Sequence, residues 1–226
     1  MSKQNQVILF CIFAVSILIR FSLAVVNREA NDDHMETINI IIDQGRLPVK
    51  EDCWECAHPK LYYSTVAAVS KAFSINGADQ RIVTAQMVNF VLSLVMLWFL
   101  WLFIRSLEFA DDQLKLITFG LLAINPALVG INAQATNDTF VISFSIAALY
   151  FARQYIDQKQ YRPLILSIIF SALAILSKTN GLIVAIAIGI AILLEALANR
   201  NFSLRWGQSN LLMAGDYAFL GVNMPV

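Results

Sequence analysis

Long apolar stretches run through most of this chain and restrict it to a fold built in a membrane. The hydrocarbon core of a bilayer is about 30 Å thick, and a helix needs about 20 residues to cross it. Hydrophobic residues make up 58% of the 226 residues and charged residues only 14%, whereas soluble domains hold about 25% charged residues. The sequence therefore predicts an all-α, polytopic transmembrane helix bundle with about six spans. They are predicted at 7–26, 82–104, 114–133, 140–155, 163–176 and 182–197.

The first apolar stretch has two interpretations. It follows Lys3, as the apolar core of a cleavable signal peptide would. It is long for such a peptide, however, Arg20 interrupts it late, and no small-x-small cleavage site stands out. We therefore expect a retained first helix, followed by the loop 27–81.

The positions of the basic residues predict the orientation. Short cytoplasmic loops carry an excess of lysine and arginine. With a cytoplasmic N-terminus, the short outer turns hold only Lys178, while loop 27–81 holds more acidic than basic residues. This places loop 27–81 outside the cytoplasm, and the zero net charge offers no general attraction for nucleic acid. The inner loops would hold Arg105, Lys115, Arg153, Lys159, Arg162, Arg200 and Arg205.

Loop 27–81 is itself predicted to be helical. In 34–44 apolar residues recur at helical spacing with polar residues opposite, which predicts an amphipathic helix on the membrane surface or against the bundle. Gly45 and Pro48 would end this helix. A second helical stretch at 61–75 is too short for a confident span.

Asp32 and Asp33 lie just beyond the first span. A carboxylate at the bilayer surface can have its pKa raised by nearby apolar groups, which suits a proton acceptor. The alternative is an N-cap, because aspartate readily caps a helix that begins near His34. The pair also allows one residue to cap and the other to face a site.

The segment 58–63 combines an imidazole, a rigid proline, an ammonium group and two phenols. Lys60 would meet a phosphate as a point charge, while Tyr62 and Tyr63 would stack on a sugar or anchor at the interface. The alternative is that the chain simply re-enters the membrane here, with tyrosines at headgroup level. His58 begins the segment.

Two polar turns separate later spans. Asn137 and Asp138 lie in one turn, at the outer end of two closely spaced spans, where ionisable groups tend to line functional cavities, although an exposed turn tolerates them too. With Thr139 they also match a glycosylation sequon. Lys178 interrupts a long apolar run, so it must be paired, snorkelling or placed in a watery turn; an anionic headgroup would be one partner.

Cys53 and Cys56 form a lone CxxC. Such a pair serves as a redox motif, a disulfide or half of a metal site. No second cysteine pair accompanies it, so a local disulfide that stiffens the outer loop is the favoured interpretation.

These motifs occur in a recognisable order, all on one predicted side of the membrane. In that order the chain resembles, from about 7 to 198, the N-terminal part of the GT-C glycosyltransferases, in particular the protein O-mannosyltransferase branch and the bacterial RgtA/B/C/D-like group. Lys60 departs from the pattern, since it stands where the family has the second proline of a Pro-Pro pair. The matching segments are 31–34, 58–63, 76–81, 125–126, 137–138 and 178–181.

The resemblance implies an enzyme that transfers a hexose or pentose from a polyprenyl-phosphate donor to a glycan, lipid or protein acceptor on the extracytoplasmic face. Asp33, or else Asp32, would deprotonate the acceptor hydroxyl. Asp138 would shape the cavity or hold a divalent cation, Mg²⁺ or Mn²⁺, with too few oxygen ligands visible to assert one. The donor phosphate would be bound by Lys60, His58 and Lys178. The cavity would be lined by Asp138, Asn137, Tyr62 and Tyr63.

The resemblance also implies how the chain is organised. Residues 1–198 would form a partial GT-C-like transmembrane domain that includes loop 27–81, in a multi-pass protein of the bacterial inner membrane. Members of the family usually continue through further spans, so 199–226 would be a truncated tail and the chain could be inactive. One rival class is a small-solute transporter, with Arg20, Asp138 and Lys178 along its pathway and helices broken at mid-membrane. The other is a non-catalytic membrane protein.

Overall fold

The computed structural model describes residues 1–27 and 33–198, which form helices joined by loops, with no strand among them. Asn31, Asp32 and the predicted tail 199–226 lie outside the described residues. Residues 1–190 form one compact unit; residues 191–198 are the described part of a second. The helices are α1 (Lys3–Val26), α2 (His34–Gln44), α3 (Leu61–Ala72), α4 (Ala78–Ser106), α5 (Asp112–Ala123), α6 (Pro126–Asn132), α7 (Asp138–Gln158), α8 (Tyr161–Ser177) and α9 (Gly181–Ala198), with a 3₁₀ turn at Trp54–Ala57.

The helical membrane bundle expected from the sequence is confirmed, although not every predicted span is a single straight helix. Four helices, α1, α4, α7 and α9, are long and apolar enough to cross a bilayer. The apolar helix α8 has 17 residues, which at 1.5 Å per residue extend about 25 Å. The predicted span 114–133 is broken into α5 and α6, which are bent by 49°. The two can together count as a fifth span.

Adjacent helix ends indicate which segments share one side of the bundle. The N-terminal ammonium lies 3.4 Å from the Asp112 carboxylate, so the start of α1 is beside the start of α5. At the opposite end, the Asn27 amide donates to the carbonyl of Ala133, 3.3 Å away. Lys178, in the turn before α9, donates to Asp138 at the start of α7. The described part of loop 27–81 and the turns before α7 and α9 therefore lie at the same end of the bundle, as predicted.

The two loop helices pack back onto the spans. The helix α2 has the predicted bounds and ends at Gly45, whose φ of 67° is the left-handed conformation that terminates helices. Its buried Ile38 packs with Tyr62 and Val66 of α3. The same apolar cluster includes Ala85 of α4 and Phe140 of α7, so the loop is fixed to the membrane-spanning part.

The break between α5 and α6 is stabilised by a buried arginine. Pro126 begins α6 and has no N–H to continue the α5 ladder, while the Asn125 side chain caps the new helix. The buried carbonyl of Ala123, at the end of α5, accepts hydrogen bonds from Arg20 Nη1 at 2.6 Å and from Ser16 Oγ at 2.8 Å. Arg20 also donates to Ser16 Oγ. A cation at the C-terminal end of α5 also complements the helix dipole.

Because two donors serve one carbonyl, the effects of removing them should not be additive. Ser16→Ala or Arg20→Met alone leaves one donor on Ala123, whereas the double variant leaves a buried carbonyl without one. We expect the double variant to be destabilised by about 1–3 kcal/mol more than the sum of the single variants. Thermal unfolding in detergent measures this, with exposed Arg105→Met as the control. Simple additivity would show that the two side chains act independently.

Candidate functional site

Loop 27–81 and the turn before α7 meet at a buried phenol. The Tyr63 hydroxyl lies 2.9 Å from His34 Nδ1, and it accepts a hydrogen bond from Asn137 Nδ2 at 3.3 Å. All three side chains are buried. The start of α2, the start of α3 and the start of α7 are thus joined through one hydroxyl group.

The second polar turn reaches the same place through an ion pair. Lys178 Nζ donates to Asp138 Oδ1 at 2.6 Å, and both side chains keep part of their surface exposed, 20% for the lysine and 35% for the aspartate. The backbone before α9 is tightly packed here, because a Cβ on Gly181 would lie 2.5 Å from the carbonyl carbon of Ala174. Only glycine fits this close approach, which explains why the Lys-Thr-Asn-Gly turn ends in Gly181.

The turn that precedes α7 is held by an amide inside a span, which the sequence analysis missed. Asn89 of α4 is fully buried, and its Nδ2 donates to the carbonyls of Gln134 and Thr136 at 2.7 and 2.8 Å. Thr136 in turn donates from Oγ1 to Asp138 Oδ2 at 3.2 Å. A lone asparagine within an apolar helix was the available signal, since such a residue must find partners inside the protein.

Glu55 is the other functional candidate that the sequence analysis missed. Its Oε2 lies 3.4 Å from His34 Nδ1 and 3.3 Å from His58 Nε2, and it accepts from the Tyr63 hydroxyl at 3.4 Å. The Glu55 side chain is only 12% exposed. A single carboxylate oxygen therefore contacts three of the polar side chains from this loop.

The CxxC turn that carries Glu55 is closed by a bond between Cys53 and Cys56, whose Cα atoms are 5.0 Å apart. Thr37 of α2 places its hydroxyl 3.4 and 3.5 Å from the two sulfur atoms. The turn is thus attached to α2 as well as closed on itself.

Lys60 points into the protein rather than fully into solvent. Its ammonium donates to the carbonyl of Cys56 and lies 5.8 Å from the centre of the Tyr63 ring. Burial lowers the pKa of Lys60, an effect that the negative charge of Asp52 opposes. An ammonium group has three donors, so the contact with Cys56 leaves others for a ligand.

The tyrosines differ from the expected surface residues. Tyr62 and Tyr63 are both 0% exposed, so neither ring is available to stack on a sugar or to sit at headgroup level. The reason is that α3 lies between α2 and the spans α4 and α7, which cover both rings. Burial raises the pKa of both phenols, and for Tyr63 the negative Glu55 adds to the effect, so both remain protonated. Asn137 is equally buried, which leaves no room for a glycan on the sequon.

Asp33 is exposed and immediately precedes α2. Its side chain makes no capping hydrogen bond to the helix, so the N-cap interpretation has no support from its contacts. The neighbouring His34 is the residue that contacts Tyr63 and Glu55. Asp33 is thereby next in sequence to the buried polar cluster while its carboxylate remains open to solvent.

The described side chains do not fit a divalent cation. No group of three or more histidine, cysteine, aspartate or glutamate residues within 1–27 and 33–198 is arranged to hold a metal ion. The oxygen Oδ1 of Asp138, the predicted ligand, is bound to Lys178.

An apolar groove begins beside the polar cluster. It has a volume of about 630 Å³ and lies between α3, α4, α7 and α8. Two of its lining residues are close in sequence to the polar cluster: Leu61 directly follows Lys60, and Phe140 is two residues after Asp138. Other lining residues include Val88, Val91, Leu92 and Leu173.

We refer to the polar cluster as the loop–turn site. It brings together predicted residues from both turns and from the 58–63 segment, whereas Asp32 lies outside the described residues. Its members are His34, Glu55, His58, Lys60, Tyr63, Asn137, Asp138 and Lys178, with Asp33 at its edge.

Comparison with known proteins agrees with this architecture. No curated protein matches the chain. The family model described as dolichyl-phosphate-mannose-protein mannosyltransferase matches residues 62–215, more than half of the chain. The match includes Tyr63, Asn137, Asp138 and Lys178, and it begins after Asp33 and Lys60. A helical membrane bundle with a polar cluster at one end of its spans, matched over this length, identifies the chain as a membrane glycosyltransferase of the GT-C type that belongs to the dolichyl-phosphate-mannose-protein mannosyltransferase family.

Proposed function

We propose that this glycosyltransferase transfers a sugar from a polyprenyl-phosphate donor to an acceptor hydroxyl on the extracytoplasmic face. The observation that carries the proposal is the partly exposed Asp138–Lys178 ion pair, whose aspartate lies two residues before Phe140, a lining residue of the apolar groove. A polyprenyl phosphate is an anion attached to a long apolar tail. A partly exposed cation beside a groove in the spans provides complementary chemistry for both parts.

In the proposed reaction the acceptor oxygen attacks the anomeric carbon of the donor sugar. The bond from that carbon to the phosphate oxygen breaks, and polyprenyl phosphate leaves with the bonding electrons. Asp33 takes the proton of the acceptor hydroxyl, a role that its exposed position allows. Asp32 is the alternative base.

The negative charge that develops on the leaving phosphate needs preorganised cations. Lys178 is the principal candidate, because Asp138 fixes its ammonium at 2.6 Å in a partly exposed position. Lys60 is the second, since it lies directly before the groove residue Leu61. His58 faces Glu55 at 3.3 Å and contributes a cation only when it is protonated.

The prenyl tail would lie in the groove between α3, α4, α7 and α8. Val91 lines this groove and is 60% exposed, so a larger side chain there would fill the groove without displacing the core. We expect Val91→Trp to raise the KM for a long-chain donor about tenfold, equivalent to about 1.4 kcal/mol, and to leave a short-chain analogue unaffected. Steady-state kinetics with the two donors measures this.

The matched control is Leu121→Trp on α5, since Leu121 is 66% exposed and does not line the groove. An equal rise in KM for both donors, or for both variants, would contradict the assignment of the tail to this groove.

A transporter would require a broken helix that presents free backbone to a solute, and the α5–α6 break resembles that feature. The carbonyl of Ala123 at the break is already bonded to Arg20 and Ser16, however. This occupancy favours a structural role for the break over a solute site.

The direct test is sugar transfer in proteoliposomes that contain the full chain. Polyprenyl-phosphate sugars, radiolabelled in the sugar, are supplied in the bilayer together with added acceptors. Transfer is measured as label on the acceptor and as polyprenyl phosphate released. We expect release that depends on the acceptor. If folded protein releases no polyprenyl phosphate from any hexosyl or pentosyl donor, the proposed donor class is wrong.

A further inference from the structure

Glu55 has contacts that the proposed reaction does not use. Its oxygen Oε2 lies within 3.4 Å of His34, His58 and Tyr63, which come from α2, from the loop and from α3. A carboxylate offers about four lone-pair positions, so it can serve several donors at once. No other described carboxylate contacts more of the loop–turn site.

The local backbone explains how Glu55 reaches these partners. It lies in the 3₁₀ turn Trp54–Ala57, inside the short ring closed by Cys53 and Cys56. The ring is attached to α2 through the Thr37 hydroxyl, which contacts both sulfur atoms. The direction of the Glu55 side chain is therefore determined by the closed ring and by α2 together.

The contacts of Glu55 lead to both proposed reacting ends. In one direction, His34 is directly preceded by Asp33, the proposed base. In the other direction, the Tyr63 hydroxyl is bonded to Asn137, which directly precedes Asp138. One carboxylate thus lies between the backbone that carries the base and the backbone that carries the aspartate holding Lys178.

We propose that Glu55 is a positioning residue that fixes Asp33 relative to the Asp138–Lys178 pair, and that the Cys53–Cys56 bond holds Glu55 in place. This inference rests on the proposed transferase function for its kinetic part. It assigns no contact between Glu55 and the reacting atoms. The titratable groups that face Glu55 are His34 of α2, His58 of the loop and Tyr63 of α3, with Asp138 of α7 beyond Tyr63.

The first experiment compares wild type with Glu55→Gln, which keeps the shape but removes the charge and part of the accepting capacity. We expect kcat to fall at least tenfold while KM for the donor stays within about twofold, because Lys178, the principal candidate for the donor phosphate, is paired with Asp138 and not with Glu55. The control is Glu51→Gln in the same loop, where the side chain is 66% exposed and lies 3.6 Å from the Lys50 ammonium. A Glu55→Gln enzyme with wild-type kcat, or with a changed KM alone, would overturn the proposal.

The second experiment breaks the ring. A dithiol reductant transfers two electrons and two protons to the Cys53–Cys56 disulfide. The products are two cysteine thiols and the cyclic disulfide of the reductant. We expect reduction to lower the kcat of wild type to the level of Glu55→Gln, and to change Glu55→Gln itself little further. Effects that multiply would overturn the proposal, because they would mean that the ring and the carboxylate act independently.

A third measurement needs no enzymatic activity, which separates failure of this inference from failure of the proposed function. The melting temperatures of wild type, Glu55→Gln, Cys53→Ser/Cys56→Ser and the triple variant form a double-mutant cycle. We expect the two changes to be less than additive. An additive cycle would overturn the link between Glu55 and the ring, whereas absent transfer by wild type with a coupled cycle would overturn only the proposed function.

Discussion

Asp33→Asn is expected to lower kcat by about 10²- to 10⁴-fold, the range that a general base contributes. The carboxylate is exposed and makes no capping bond, so its loss should cost little stability. Donor KM should change little, because the phosphate is assigned to Lys178 and Lys60. Initial rates of polyprenyl-phosphate release at saturating acceptor measure the effect.

The matched control is Glu36→Gln, which removes an exposed carboxylate from the first turn of the same helix. It should retain nearly all activity. Asp32→Asn tests the competing base directly. If Asp33→Asn transfers sugar as fast as wild type while Asp32→Asn does not, the base is Asp32 and the assignment to Asp33 is wrong.

Lys178→Met is expected to lower kcat/KM by about 10²- to 10³-fold, by analogy with the removal of one preorganised donor to a developing anion. The substitution also leaves Asp138 without its partner at 2.6 Å. A loss of stability could therefore be mistaken for a loss of catalysis. The double variant Lys178→Met/Asp138→Asn separates the two, because it removes the unpaired charge.

We expect the double variant to melt close to wild type and to remain as inactive as Lys178→Met. Lys178→Arg, which keeps the positive charge, should retain partial activity. The control Lys50→Met removes a lysine that is 77% exposed in the loop. Recovery of transfer in the double variant would mean that Lys178 serves only to neutralise Asp138.

The sequence predicted local features well where their cause is local. The bounds of α2 follow from the spacing of its apolar residues and from Gly45 at its C-cap. Both signals lie within the helix and its cap, so the sequence alone was enough to predict them. The other helices lie close to the predicted apolar stretches for the same reason. The break at Pro126 is different. Proline removes one donor, but a break needs a new partner for Ala123, and Arg20 lies 103 residues away.

The loop–turn site was predicted only in part, because its contacts join residues that are distant in the chain. The turns that carry Asp138 and Lys178 were identified from their polarity. The hydrogen bond between these two side chains depends on how α7 packs against α8. The spacing of residues along the sequence does not reveal that packing. Glu55 was missed because it resembles other loop acids until the fold places His34 of α2 and Tyr63 of α3 beside it, together with His58 of its own loop. The burial of Tyr62 likewise depends on helices that cover α3 from both sides.

The groove lined by Val91 and Leu173 lies between α3 and the helices α4, α7 and α8, and two of its lining residues, Leu61 and Phe140, are close in sequence to Lys60 and Asp138. For a donor that occupies it, the route of arrival is sideways, by diffusion in the plane of the leaflet. Such a donor never has to leave the hydrocarbon, so the quantity that governs occupancy is its surface density among the lipids. Bilayer thickness and competing isoprenoids then become determinants of turnover, alongside the side chains that perform the chemistry.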